Sequence, residues 1–170
     1  MYDIKNLVEC ENKFKRHCKF HFINFFRGFD YSNLNKDVKC YDILSYADIE
    51  KLRYSCGFYL ILTDYMAEEN QCKLEVNGLK VIYRGHGVRI RKRVESHLYN
   101  NDYNKNKDGT NYTACLKLNG DNGISLKNKP YSDYKWAVIQ HSMTDSSKTM
   151  REQAEQAFDK CFYQPIGSND

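Results

Sequence analysis

Two stretches of the chain decide its fold. The first is the apolar run Gly57-Phe58-Tyr59-Leu60-Ile61-Leu62, and the second runs from Lys73 to Tyr83 with Asn77-Gly78 at its centre. Asn-Gly between two extended segments is a strong signal for a β-hairpin with a type I′ turn. Beyond Gly87 the apolar residues change to helical spacing, at Ile90, Val94 and Leu98. The sequence therefore predicts a strand, a hairpin and a helix, in that order.

Further elements flank this centre. An amphipathic helix with a basic flank is predicted from about Ile4 to Gly28, and a short helix from about Tyr46 to Arg53. Tyr134 to Ile139 has strand character, and a helix follows from about Lys148 to Phe162. We predict an α+β fold, with a small antiparallel three-stranded central sheet flanked by helices.

The predicted organisation is one compact domain. Residues 1–54 form an N-terminal helical arm that packs on the main body, with DNA contact or dimer contact as alternatives. Residues 55–170 form the core, with insertions at about 66–78 and 100–132. The second insertion is rich in Asn, Lys, Gly and Asp, and it holds one short candidate strand at 113–118.

Composition narrows the class of protein. The chain has 170 residues and a formal net charge of +4, and Lys80–His97 holds six Lys or Arg against one acid. This concentrated positive charge suits a polyanionic partner. The seven cysteines are odd in number and form no C-x-x-C pair. With no secretory segment and no apolar run long enough for a bilayer, we expect free thiols and a cytoplasmic protein without a membrane partner.

Several short motifs together resemble the GIY-YIG nuclease superfamily over residues 55–170. Gly57-Phe58-Tyr59 is similar to the GIY element, and Tyr83-Arg84-Gly85 is similar to YIG. The further matching positions are Arg93, His97, Glu155 and Asn169. Phe58 and Arg84 depart from the family pattern, and the gap between the two motifs is long. Such enlargements are similar to those of the small Type II restriction enzymes in the family.

The resemblance implies metal-dependent hydrolysis of phosphodiester bonds in double-stranded DNA. It assigns Tyr59 and Tyr83 as general base and partner, and we favour Tyr59 as the base. Arg93 would grip the scissile phosphate, because a planar guanidinium binds phosphate bidentately. His97 shares the Arg93 face at i, i+4, and His86 is a further candidate for proton transfer or phosphate contact.

Two glutamates of the last helix, Glu152 and Glu155, are candidate metal ligands. A helical wheel points Glu152 directly away from the apolar stripe and places Glu155 on its shoulder, so Glu155 is the predicted ligand. One acid among several cations suits one Mg²⁺ per active site that keeps most of its waters, with other divalent cations possible. No organic cofactor is expected.

The leading functional prediction is a sequence-specific Type II restriction endonuclease that acts on double-stranded DNA as a homodimer. Its predicted DNA contacts are Arg84, Arg89, Lys73, Lys105, Lys107 and Asn169. A homodimer is the simplest way to cut both strands of a palindromic site. The alternatives are a homing or repair-type nuclease of the same family that acts as a monomer, and a catalytically silent DNA-binding module.

Overall fold

The structure is a computed structural model that describes residues 3–65, 68–99, 116–118 and 123–168. Three α-helices lie in these ranges: α1 (Ile4–Gly28), α2 (Ile90–Leu98) and α3 (Lys148–Phe162). The strands are β1 (Val38–Asp42), β2 (Gly57–Thr63), β3 (Glu75–Val76), β4 (Leu79–Gly87) and β5 (Trp136–Ser142). Two short 3₁₀ helices span Tyr46–Lys51 and Tyr131–Asp133. None of the helices in the described ranges is long and apolar enough to cross a bilayer.

The strands form one antiparallel sheet in the order β1-β5-β2-β4-β3. The predicted α+β arrangement is correct, but the predicted three-stranded sheet is wrong, because β1 and β3 extend it on both sides. The sequence Val38-Lys39-Cys40-Tyr41-Asp42 lacks a clean alternation of apolar and polar residues, which hid this half-buried edge strand. Residues 1–54 therefore supply a strand to the core as well as a helical arm.

The predicted hairpin is confirmed. Asn77 and Gly78 have φ values of 52° and 78°, the left-handed conformation that both central residues of a type I′ turn require. The predicted helix near residue 46 is a 3₁₀ helix, and a capping box between Ser45 and Asp48 closes its first turn.

The sheet has two different faces. Phe58, Leu60 and Leu62 of β2 pack with the apolar residues of α1 and α3, on what we call the aromatic face. The alternate residues Tyr59 and Ile61 point to the opposite side, where α2 packs. We call this side the tyrosine face. Part of the 100–132 insertion joins its core through buried Leu116, Leu118 and Ile124, whereas most of the predicted strand at 113–118 lies outside the described residues.

The outer edge of β4 carries different partners along its length. Strand β3 pairs only with its first two residues. Farther along, Gly167 donates its backbone N–H to the Ile82 carbonyl at 2.8 Å, and the Arg84 N–H donates to Ser168 Oγ at 2.9 Å. Beyond Arg84, no strand in the described part of the chain covers this edge. At the end of β4, around His86, side chains from both faces of the sheet can therefore come together at this edge.

Candidate active site at the end of strand β4

Three rings from three elements meet on the tyrosine face. The Tyr83 ring of β4 lies 4.3 Å from the His97 ring of α2 and 5.9 Å from the Tyr59 ring of β2, measured between centroids. Gly85 makes this approach possible. A Cβ atom there would lie 2.7 Å from Tyr83 Cε1 and 2.8 Å from Tyr59 Oη, closer than such atoms approach. The glycine of the second motif is therefore required by sterics.

Tyr59 is fully buried on the tyrosine face. Its hydroxyl makes no well-aligned hydrogen bond with another described residue, although Tyr83 and Arg93 lie close enough to affect its pKa. Burial raises the pKa of Tyr59 well above 10, Tyr83 adds to this effect, and the Arg93 charge only partly opposes it. Tyr83, in contrast, is half-buried. Our preference for Tyr59 as the base therefore loses its physical support, because that hydroxyl reaches no water and resists ionisation.

Arg93 lies over the end of β4. Its side chain packs along Gly87, where a Cβ atom would come within 2.7 Å of Arg93 Cδ. The residue is exposed, and its interaction with Tyr59 is the largest of the effects that raise its own pKa. Arg93 therefore has an apolar stem held against the strand and a permanent positive charge open to solvent.

His97 lies one turn after Arg93 and is buried beneath it. Neither ring nitrogen has a hydrogen-bond partner among the described residues. Burial, with a smaller contribution from the Arg93 charge, lowers the pKa of His97 to about 3. The imidazole is therefore neutral at pH 7, and one of its nitrogens can accept a hydrogen bond.

Glu155 reaches the same edge of β4 from the other side of the sheet. Its Oε1 lies 3.4 Å from Arg84 Nη1 and its Oε2 lies 3.7 Å from His86 Nε2. Burial raises the pKa of Glu155 to about 7, although Arg84 opposes this shift. As the helical wheel predicts, Glu152 is the more exposed acid, and it pairs with Lys148 at 3.5 Å.

Arg84 is not the exposed DNA contact that we expected. It is buried, and its guanidinium donates to both carboxylate oxygens of Asp159, at 3.1 and 2.7 Å. Together with the contact to Glu155, this makes Arg84 an internal residue that positions two of the acids of α3, Glu155 and Asp159. Asp159 was missed in the sequence, although its i, i+4 spacing from Glu155 was the available signal.

The other predicted DNA contacts do not join this cluster. Arg89 is exposed just before α2, on the Arg93 side. The Lys73 ammonium lies 4.4 Å from the centre of the Tyr163 ring, about two turns of α3 beyond Glu155. Lys105, Lys107 and Asn169 lie outside the described residues. Ser168, immediately before Asn169, is buried against β4 and accepts a hydrogen bond from the Arg84 N–H.

The side chains present are compatible with a weakly held, hydrated cation. In the described ranges, no group of three or more His, Cys, Asp or Glu side chains is arranged to bind a metal ion. Glu155 is nevertheless a partly exposed carboxylate whose charge its surroundings compensate incompletely, as the raised pKa indicates. Mg²⁺ binds through one or two carboxylates and retains its waters, so this donor set fits that ion.

The geometry thus joins residues from β2, β4, α2 and α3 at one end of one strand. Two tyrosines, a neutral histidine and an exposed arginine lie on the tyrosine face, and a partly exposed carboxylate reaches the same strand from the other side of the sheet. Comparisons of the chain with protein-family models, with curated proteins and with solved structures give no match. The resemblance to GIY-YIG nucleases therefore rests on the sequence motifs alone.

Proposed function

We propose that this protein is a metal-dependent endonuclease of the GIY-YIG kind, acting on double-stranded DNA as a Type II restriction enzyme does. One observation carries the proposal. Residues far apart in sequence, of the types that phosphodiester hydrolysis needs, converge on the end of β4: Tyr59, Tyr83, Arg93, His97 and Glu155. Two glycines of the same strand leave the space that this convergence requires.

In the proposed reaction the Arg93 guanidinium binds the scissile phosphate and offsets the charge that develops on it. Tyr83, the more accessible tyrosine, accepts the proton of the attacking water on its phenol oxygen while its own hydroxyl proton passes to solvent. The neutral ring of His97, 4.3 Å from the Tyr83 ring, packs behind it and holds it in position. Tyr59 forms the buried wall that fixes both rings.

In this proposal Glu155 would hold the metal ion, and Arg84 with Asp159 would fix the carboxylate in place. A bound Mg²⁺ would supply Lewis-acid stabilisation of the phosphate and of the leaving oxygen. A carboxylate with a pKa near 7 exchanges a proton for a cation at neutral pH at little energetic cost.

The proposal is tested by incubating the protein with supercoiled plasmid and Mg²⁺, with an EDTA control, and by sequencing the ends of any products. Defined fragments with a common flanking sequence support a restriction enzyme, whereas random nicks support a structure-directed or repair-type nuclease. Sizing the free protein and its DNA complex distinguishes a homodimer from a monomer. A protein that binds DNA without cutting it under any divalent ion contradicts the nuclease proposal.

A further inference from the structure

A cavity on the tyrosine face lies outside the candidate active site. Its volume is about 310 Å³, and both 3₁₀ helices, the residue that follows α2 and the start of β5 contribute to its lining. This volume is at the lower end of the range found for small-molecule sites. The cavity therefore has room for a single ring system.

Aromatic rings dominate the lining of this cavity, which includes Tyr46, Tyr99, Tyr131, Tyr134 and Trp136. The Tyr46 ring lies 5.1 Å from the Tyr99 ring, and the Tyr131 ring lies 6.4 Å from the Trp136 ring, measured between centroids. Tyr99 and Trp136 are buried, whereas Tyr46 is 40% exposed and Tyr134 is 39% exposed. The cavity thus has buried rings at its base and rings accessible to solvent at its rim.

The charge that borders the cavity is positive. Lys127 and Lys135 contribute to the lining, and no Asp or Glu is among the described residues that do so. Lys127 Nζ lies 5.2 Å from the centre of the Tyr46 ring. Neither lysine takes part in an ion pair between described residues. Flat rings beside unpaired ammonium groups suit a ligand that is both aromatic and anionic.

A cavity on the aromatic face has the opposite character. Its volume is about 180 Å³, and it carries the Asp37 carboxylate and no Lys or Arg among the described residues that line it. The positive border of the larger cavity is therefore a local feature, and it does not follow from the net charge of the chain.

The larger cavity lies on the same face as the candidate active site. Across β2, Tyr83 is in register with Val138, which is two residues from Trp136 along β5. Two strand spacings and two residues separate the backbones of Tyr83 and Trp136 by about 12 Å. Tyr99 follows Arg93 by six residues, or about 9 Å along α2. Since phosphates of one DNA strand rise by about 3.4 Å each, a few nucleotides span this separation.

We infer that this cavity binds one nucleobase of the DNA substrate, unstacked from its neighbours, while Lys127 and Lys135 contact the adjoining phosphates. The inference rests on the proposed function, which supplies the strand that crosses the tyrosine face. A duplex backbone alone offers phosphates and no flat apolar surface, so it would leave the aromatic lining without a role. Stacking of the base on the tyrosine rings offsets the cost of leaving the duplex. The cavity fixes the position of the strand and takes no part in bond cleavage.

The first test uses single-stranded DNA, in which no base pair has to open. A labelled, mixed-sequence oligonucleotide of about eight nucleotides is titrated with the protein in metal-free buffer, and its anisotropy gives the affinity. Tyr134→Ala should weaken binding about tenfold, because it removes a ring on which the base stacks. Tyr163→Ala is the matched control, since it removes an exposed tyrosine just after α3, outside the cavity, and should leave the affinity unchanged.

Two further readouts keep this test independent of folding. Trp136 is the only tryptophan of the chain, so its emission should change when the unlabelled oligonucleotide fills the cavity. Should Tyr134→Ala fail to fold, Tyr134→Leu retains an apolar side chain and should show a similar loss of affinity. Unchanged affinity in the folded Tyr134 variant, or Trp136 emission that does not respond to DNA, overturns the inference.

The role of the lysines is tested by the salt dependence of the same binding. Lys135→Met should reduce the log–log slope of affinity against salt by about 0.7, the value for one phosphate contact on a single strand. Lys160→Met removes a positive charge from an exposed position on α3 and should leave the slope unchanged. Equal slopes for the two variants contradict phosphate contacts at the cavity.

A last measurement uses a duplex that contains a mapped cut. Abasic nucleotides are placed one at a time beside the cut, and each duplex is bound to the unsubstituted protein and to Tyr134→Ala. The substitution should weaken binding of the intact duplex about tenfold, and it should have no effect when the base that enters the cavity is missing. The same loss at every abasic position contradicts the inference. Cleavage without any dependence of binding on Tyr134 removes the inference alone, whereas Tyr134-dependent binding without cleavage removes only the nuclease proposal.

Discussion

Each face of the sheet buries one histidine, and the two histidines differ in their partners. On the aromatic face, His141 packs against Phe25, Phe26 and Phe58, and its Nε2 lies 3.2 Å from the Tyr31 hydroxyl. On the tyrosine face, His97 lies against Tyr83 with neither nitrogen bonded to a described residue. Burial lowers the pKa of each to about 3.

Burial alone therefore does not separate a structural histidine from a functional one. The two histidines differ in their hydrogen bonds. A buried polar group without a hydrogen bond destabilises the fold, so we expect such a group where function requires it. On the tyrosine face Tyr59 Oη and both His97 nitrogens lack hydrogen-bond partners among the described residues, beside an exposed arginine. We expect substitutions on this face and at the end of β4 to affect cleavage, and substitutions on the aromatic face to affect stability.

The largest expected effect comes from Glu155. Glu155→Ala removes the proposed metal ligand and should reduce Mg²⁺-dependent cleavage about a thousandfold or more, while DNA binding in metal-free buffer persists. Glu152→Ala, on the same helix, is the matched control and should leave the cleavage rate nearly unchanged. A strong loss of cleavage in Glu152→Ala and none in Glu155→Ala would show that Glu152, and not Glu155, faces the reacting phosphate.

The next effect compares one tyrosine from each face. Tyr83→Phe removes the proposed proton acceptor and should slow cleavage by about a hundredfold to ten-thousandfold, with little change in melting temperature. Tyr31→Phe removes the hydroxyl beside His141 and should lower the free energy of unfolding by about 1 kcal/mol without slowing cleavage. Cleavage rates and urea unfolding of both variants separate the two roles. If Tyr31→Phe slows cleavage as much as Tyr83→Phe, the distinction between the faces is lost.

A smaller effect is expected from the glycine between the tyrosine rings. Gly85→Ala places a methyl group within 2.8 Å of both rings and should reduce cleavage by about tenfold to a hundredfold, since the rings must shift. Gly28→Ala is the control, because a Cβ atom there meets nothing within 4 Å. Equal cleavage by the two variants in a steady-state assay would mean that the close approach of the tyrosines is irrelevant.

The smallest expected effect at neutral pH comes from substituting His141, which contributes to the pH dependence of the free energy of unfolding. Its pKa is about 3 in the folded chain and about 6.5 when unfolded, so only the unfolded state binds a proton between these values. The free energy of unfolding should therefore fall as pH is lowered from 6.5 towards 3, by about 1.4 kcal/mol per pH unit for this residue. His141→Gln should reduce that slope by about this amount in urea unfolding at several pH values. An unchanged slope would show that His141 is accessible to protons in the folded protein.

The local signals in the sequence located most of the elements. The hairpin followed from Asn77-Gly78, and α2 followed from the spacing of Ile90, Val94 and Leu98, because both patterns depend on near neighbours. Strand β1 was missed because its alternation is poor and its pairing with β5 joins residues about a hundred positions apart. Its place in the sheet depends on long-range contacts that carry no local signature.

The residues of the candidate site likewise fall into two groups, those that local sequence patterns identified and those whose placement depended on long-range packing. The motif residues could be named from their spacing, and the helical wheel distinguished Glu155 from Glu152. Whether Arg84 faces solvent depended on Asp159, and the relative burial of Tyr59 and Tyr83 depended on packing against α2.

The attachment of Gly167 and Ser168 to β4 has a practical consequence. These residues occupy the backbone groups of Ile82 and Arg84 on an edge that would otherwise present unpaired donors and acceptors. A chain shortened to the end of α3 would expose a bare strand edge, a template for intermolecular pairing and aggregation. Expression designs that trim the last few residues therefore risk losing solubility as well as the support of the strand on which the reactive groups converge.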